Sequence, residues 1–302
     1  MIIVFALAAA VLYGSADFLG GAASRRLRAS SVLTVSGPVG AAVLVIAALL
    51  TGGSLAVAGL PWAVAAGACG GVGLIVFYAG LAAGPMRVVA PVSALVSTVL
   101  PVGVVIAAGE RPGPAVYAGG LICVLATVLV SMEGRADPGG RPPGPPDRCS
   151  APSGGQPPRP DHPPVARGLA YGAVAGIMFG LFFLFLREAA MSGVLWPSAL
   201  SRATGAAVVL GVAVWAGAPP AWRGASPRVL AAVIGSGLLD AIANVCYVLA
   251  TRAGLFGIAV VLTSLYPGVT VLLARLVLGE RIRPLQLAGL LLAIAGIAVV
   301  SM

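Results

Sequence analysis

Along this chain, runs of about twenty apolar residues alternate with short polar or Gly/Pro breaks. The pattern predicts ten helices, over roughly 2–22, 32–51, 61–83, 87–108, 114–132, 167–186, 194–216, 228–251, 255–278 and 284–302. Each run is near the length a helix needs to cross a hydrocarbon core about 30 Å thick. The breaks at Gly84-Pro85 and Gly254 leave almost no loop, so the flanking helices must be antiparallel neighbours. Residues 133–166, between the fifth and sixth runs, are rich in Pro, Gly, Arg and Asp, with almost nothing apolar. Such a segment buries too little surface to offset its ordering entropy, which predicts a disordered linker.

The linker separates two copies of one unit. Pro267 interrupts an apolar run that ends at Gly279-Glu280-Arg281, and Pro91 precedes Gly109-Glu110-Arg111 in the same way. The two glutamates are 280 − 110 = 170 positions apart, and the pairs Ser131-Met132 and Ser301-Met302 share that spacing. The copies span 1–132 and 167–302 with five helices each, and an odd number of spans forces the second copy to be inserted upside down. The expected fold is therefore an all-α integral membrane protein, ten transmembrane helices arranged as two inverted five-helix repeats around a central cavity. Arginine placement agrees. Arg25, Arg26, Arg28 and Arg87 cluster in loops 1–2 and 3–4, whereas Arg223, Arg228, Arg281 and Arg283 cluster in loops 7–8 and 9–10. The bias changes parity between halves, and the positive-inside rule then places the linker in the cytoplasm and both termini outside.

Composition narrows the class. A chain that is 59% hydrophobic and 9% charged is no ordinary soluble domain, where about a quarter of residues are charged. Its formal net charge of +9 comes from arginines scattered singly between apolar runs. That reads as insertion topology, and no nucleic-acid partner is expected. Four cysteines without a CxxC pair suggest neither a disulfide framework nor a metal site. The one histidine, His162, is a linker residue. No phosphate loop, His/Glu metal pattern or nucleophile elbow is present, so no cofactor, metal or enzymatic activity is expected and an ATP-driven pump has no support. The N-terminus lacks the basic start of a signal peptide and reads as the first span.

Charges inside apolar spans are expensive, about 2.5–3.5 kcal/mol each at the bilayer centre on insertion scales, so they mark the best site candidates. Arg202 in span 7 and Asp240 in span 8 lie about fourteen and twelve residues from their shared loop, a similar depth near the midplane at roughly 1.5 Å per residue. Asn244 follows Asp240 by one turn. Two readings stand, an ion pair locking two helices and a substrate or coupling-ion site, of which the second is preferred. Tyr13 and Asp17 share one face of span 1, with Asp17 either in the cavity or paired to Arg25 or Arg26. Ser93 and Ser97 accompany the kink at Pro91, and Thr263, Ser264 and Tyr266 that at Pro267. Their hydroxyls either line a cavity or cap backbone loosened by proline. Gly168, Gly172, Gly176 and Gly180 recur every fourth residue in span 6, matched by Ala6, Ala10 and Gly14 in span 1, a pattern for close helix packing. The Gly-Glu-Arg corners read as turns with a helix cap.

These residues resemble the drug/metabolite transporter superfamily in its EamA-like branch. The likeness rests on Leu265-Tyr266-Pro267-Gly268-Val269-Thr270 leading to Gly279-Glu280-Arg281, on Val89-Ala90-Pro91-Val92-Ser93 leading to Gly109-Glu110-Arg111, and on Tyr13-Gly14-Ser15-Ala16-Asp17. Arg202 falls where the family's second repeat often carries an arginine. Its first-repeat equivalent here is Gly37, so the charge is not duplicated. The resemblance implies a secondary transporter of small metabolites or drugs in a bacterial inner membrane, often an exporter, working by alternating access as monomer or homodimer. A proton is the possible coupling ion, with burial and a neighbouring arginine acting in opposite directions on the protonation of Asp240. The alternative is a non-transporting membrane scaffold or sensor whose linker recruits a partner.

Overall fold

The computed structural model describes residues 1–27, 29–51, 57–83, 86–109, 113–131, 165–217, 225–254, 256–278 and 284–300. Apolar runs become helices because a bilayer offers no partner to backbone N–H and C=O groups, which only a helix or a closed barrel satisfies internally. The first repeat contributes α1 (Ile2–Ser24), α2 (Ala29–Leu50), α3 (Leu60–Ala83), α4 (Met86–Ala107) and α5 (Pro114–Ser131). The second contributes α6 (Val165–Ala190), α7 (Leu195–Trp215), α8 (Pro227–Arg252), α9 (Phe256–Thr263), α10 (Tyr266–Leu278) and α11 (Pro284–Val300). Among the described residues, seven helical segments are long and apolar enough to cross a membrane, and three shorter apolar ones complete ten. The linker lies outside the described residues apart from Val165 and Ala166, which already belong to α6. Both Gly-Glu-Arg corners lie outside them too, apart from Gly109.

Packing pairs exchange under interchange of the repeats. Helix α1 lies on α8 as α3 lies on α6, and α4 lies on α6 as α9 and α10 lie on α1. The pairs α2–α7 and α5–α11 each join a helix to its own counterpart. That interlocking is what two inverted copies produce around a pseudo-twofold axis in the membrane plane.

The small-residue stripes pack these pairs. A methyl placed on Gly176 would stand 2.7 Å from Val96 Cβ and 2.8 Å from the Ser93 carbonyl on α4. On the matching surface of α1, a methyl on Gly14 would stand 2.5 Å from the Tyr266 carbonyl and 2.6 Å from Val269 Cβ on α10. Without a hydrophobic drive between helices in lipid, such backbone proximity provides the dispersion contacts.

The ninth expected span is divided, which corrects the reading of Pro267 as a kink inside one helix. The chain turns at Ser264-Leu265 and restarts at Tyr266, so Pro267 occupies the first turn of α10. There its missing N–H matters little, because first-turn N–H groups have no intrahelical partner. The break is satisfied from outside: Thr127 Oγ1 donates to the Ser264 carbonyl at 3.2 Å and Ser264 Oγ to the Val261 carbonyl at 2.8 Å. Pro91 and Pro101, by contrast, lie within a continuous α4.

Candidate functional site

A cavity of about 1080 Å³ lies between the repeats, walled by α1, α2, α3, α4, α6, α7, α8 and α10. It reaches Ser24 and Arg25 at the end of α1, Leu33 near the start of α2, Leu81 near the end of α3 and Gln286 at the start of α11. Because the helices alternate in direction, all these termini lie on one side, the side of the loops bearing Arg25, Arg26 and Arg87 and of Arg228 at the start of α8. The other side is shut. There Ala9, Ala66, Leu186, Ala190, Tyr247, Val248, Phe256 and Val260 form one buried apolar cluster.

Arg202 on α7 and Asp240 on α8 form an ion pair, Nη1 to Oδ2 at 2.5 Å, and both line the cavity. Their side chains keep 23% and 29% of their surface accessible, so the pair is open to the cavity. Arg202 Nε is buried and has no hydrogen-bond partner among the described residues, and neither has the hydroxyl of Tyr13. Tyr13 packs edge-on to Tyr266, ring centroids 6.3 Å apart, and both line the cavity. Asp17, one turn beyond Tyr13 on α1, is exposed to the cavity, and no ion pair joins it to Arg25 or Arg26 among the described residues.

Ser93 and Ser97 also line the cavity, although both are largely buried; Ser97 Oγ donates to the Ala94 carbonyl at 3.1 Å. Three expected site residues stand outside the lining. Asn244 is buried, its Nδ2 donating to the Asp240 carbonyl at 3.1 Å. Thr263 and Ser264 are buried at the α9–α10 break, Thr263 Oγ1 donating to the Ala6 carbonyl at 3.4 Å. The physical reason is the break itself: the freed carbonyls and hydroxyls find protein partners and turn away from the cavity. Asn244 follows from helix geometry, since the α8 stripe faces the cavity at Ser236 and Asp240 and sinks into packing one turn later.

Several lining residues were not singled out from the sequence. Ser236 precedes Asp240 by one turn and Thr270 follows Tyr266 by one, so the same four-residue spacing would have found them had the stripes been followed in both directions. Tyr78, Phe179, Phe182 and Phe183 give no such signal, because an aromatic inside an apolar span reads as core or lipid contact until its neighbours are known. Gly37, the counterpart of Arg202, lines the wall as well, so one repeat supplies charge where the other supplies space. Among the described residues no group of three or more His, Cys, Asp or Glu assembles to hold a metal.

Residues 166–302 match the EamA-like transporter family. A search of curated proteins finds no match. Twenty-four chains of solved structures match. One, a crystal structure described only as that of a protein, has a TM-score of 0.70 at 20% identity and covers 99% of this chain and 95% of its own. At that identity the likeness speaks for the fold alone.

Proposed function

The second half of this chain belongs to the EamA-like transporter family, within the drug/metabolite transporter superfamily, and from that premise we propose that this integral membrane transporter exports small organic cations in exchange for protons. The observation that carries the reading is Asp17, a carboxylate exposed in a large cavity between the repeats and without an ion-pair partner among the described residues. Deep in that cavity two carboxylates, Asp17 and Asp240, accompany one guanidinium, Arg202, while Arg25 stands at the mouth. The walls carry Tyr13, Tyr78, Phe179, Phe182 and Tyr266. Aromatic faces attract a cation by about 0.5–2 kcal/mol each, more as water is excluded, and they accommodate an apolar body.

In this reading Arg202–Asp240 holds α7 against α8 and orients the substrate, because the charge of Asp240 is already matched. Asp17 exchanges its proton for the cation. The exchange couples transport to a proton gradient, because one carboxylate neutralises one charge at a time. The cavity opens on the arginine-bearing side, which the positive-inside rule makes the cytoplasm; an exporter loads from that side. The membrane would be the bacterial inner membrane, with the 133–166 linker cytoplasmic.

The test is flux of tetraphenylphosphonium in proteoliposomes with and without an imposed pH gradient. Gradient-driven flux is expected from the native protein, and none from Asp17→Asn. Equal flux with and without the gradient would overturn the coupling, and gradient-driven flux that survives in Asp17→Asn would overturn the role of that residue.

A further inference from the structure

Tyr13 of α1 and Phe182 and Phe183 of α6 belong at once to the cavity lining and to the shell of the buried apolar cluster that shuts its far side. They form the floor of the cavity. The two phenylalanine rings meet edge to face with centroids 5.1 Å apart, and Tyr13 stands edge-on to Tyr266. Phe182 also leans on α3 at Gly70, where an added methyl would stand 3.1 Å from its Cδ2. The mouth is small and polar by comparison, with Gly20, Gly21, Ser24, Arg25 and Gln286. The repeats differ in the same way. Gly14 and Gly176 make equivalent close contacts, with α10 and α4, so α1 and α6 correspond at a spacing of 176 − 14 = 162. At that spacing Phe182 is matched by Gly20 and Phe179 by Asp17. Where the first repeat supplies a carboxylate and open space, the second supplies two rings.

We propose that Phe182 is a specificity-determining residue that sets how long an apolar body a bound cation can carry. The ammonium sits at Asp17 with its body pointing down to the ring floor, away from the mouth. Asp17 takes the charge because Asp240 is already matched by Arg202. The body points down because apolar surface leaves water best against the floor rings, whereas the mouth offers glycines, hydroxyls and a guanidinium. Helix α1 runs from the closed side to the mouth, so Asp17 stands one turn, about 6 Å, above Tyr13. A body longer than that meets the rings. To pass, it must displace Phe182, which is packed against Gly70 and the buried cluster, and a close-packed interior resists that displacement. The inference rests on the organic-cation reading and adds to it a size limit and the residue that imposes it.

The experiment measures binding of alkyltrimethylammonium ions, from methyl to octyl, to the purified full-length protein by isothermal titration, with Asp17→Asn as the blank for partition into detergent. Affinity should rise by about 4-fold for each added methylene while the chain is still burying apolar surface. The rise should stop once the chain spans about 6 Å, near butyl or pentyl. Phe182→Ala should carry the rise on to longer chains, so that the hexyl ion gains about 4-fold or more. Phe182→Trp should end the rise at shorter chains. Phe182→Leu keeps most of the apolar contact with the buried cluster and should shift the break in the same direction as Phe182→Ala, by less, which covers a failure of the alanine variant to fold. A rise that continues unbroken through octyl would show the body pointing to the mouth and overturn the proposal. An identical break in every Phe182 variant would overturn the role of that ring while leaving the cation reading standing. Binding of no member, or binding indifferent to Asp17→Asn, would overturn the cation reading and this inference with it.

Discussion

The ion pair between Arg202 and Asp240 admits a quantitative test. Removing one partner from a fully buried pair costs about 3–5 kcal/mol, because the other charge is left desolvated and unmatched. An exposed pair is worth about 0–1 kcal/mol. Here the side chains retain 23% and 29% of their surface, facing a water-accessible cavity. Most of each side chain is nonetheless covered, and Arg202 Nε has no hydrogen-bond partner among the described residues. The expected cost of Arg202→Gln or Asp240→Asn alone is therefore intermediate, about 2 kcal/mol each. Removing both charges should cost less than the two single changes together, leaving a coupling of about 1–2 kcal/mol. At about 2–4 °C per kcal/mol, each single variant should melt about 4–8 °C below the native protein. Thermal unfolding followed by circular dichroism in detergent closes the double-mutant cycle. Strictly additive melting shifts would refute the pair as a structural contact and leave Asp240 free to serve as a proton carrier in its own right.

Three further outcomes follow from the packing and the chain organisation. Thr127→Val removes the hydroxyl that satisfies the Ser264 carbonyl at the α9–α10 break, and it should destabilise by about 1–3 kcal/mol, read as a lowered melting temperature. Gly14→Val places a branched side chain where even a methyl meets the Tyr266 carbonyl at 2.5 Å; separation of α1 from α10 should cost about 1–3 kcal/mol and lower cation flux, whereas native melting and flux would contradict the close approach. Deleting residues 135–165 should leave proteoliposome flux unchanged, whereas a scaffold that uses the linker for recruitment would lose its partner in a pull-down and show no flux at the outset.

The sequence by itself determined the helices, their inversion and which spans carry charges. Apolar length is a local property and the bilayer enforces it, so nine of the ten expected spans became single helices with ends within a few residues of those read from the pattern. The 170-residue spacing of Glu110 and Glu280 disclosed the repeat, and the cost of a charge in hydrocarbon brought out Arg202, Asp240 and Asp17. Which polar residues meet the cavity was decided only by the tertiary structure. Thr263 and Ser264 carry the same sequence signal as Ser93 and Ser97, yet the chain breaks beside them and their hydroxyls are consumed by neighbouring carbonyls. Tyr78 and Tyr247 carry no signal at all beyond an aromatic in an apolar run. Tyr78 lines the cavity whereas Tyr247 is buried with its hydroxyl on the Phe183 carbonyl, a distinction that only the packing between helices makes. Local pattern fixes what each helix is; a pseudo-symmetric pair of halves leaves open which side closes, and only the packing between them decides it.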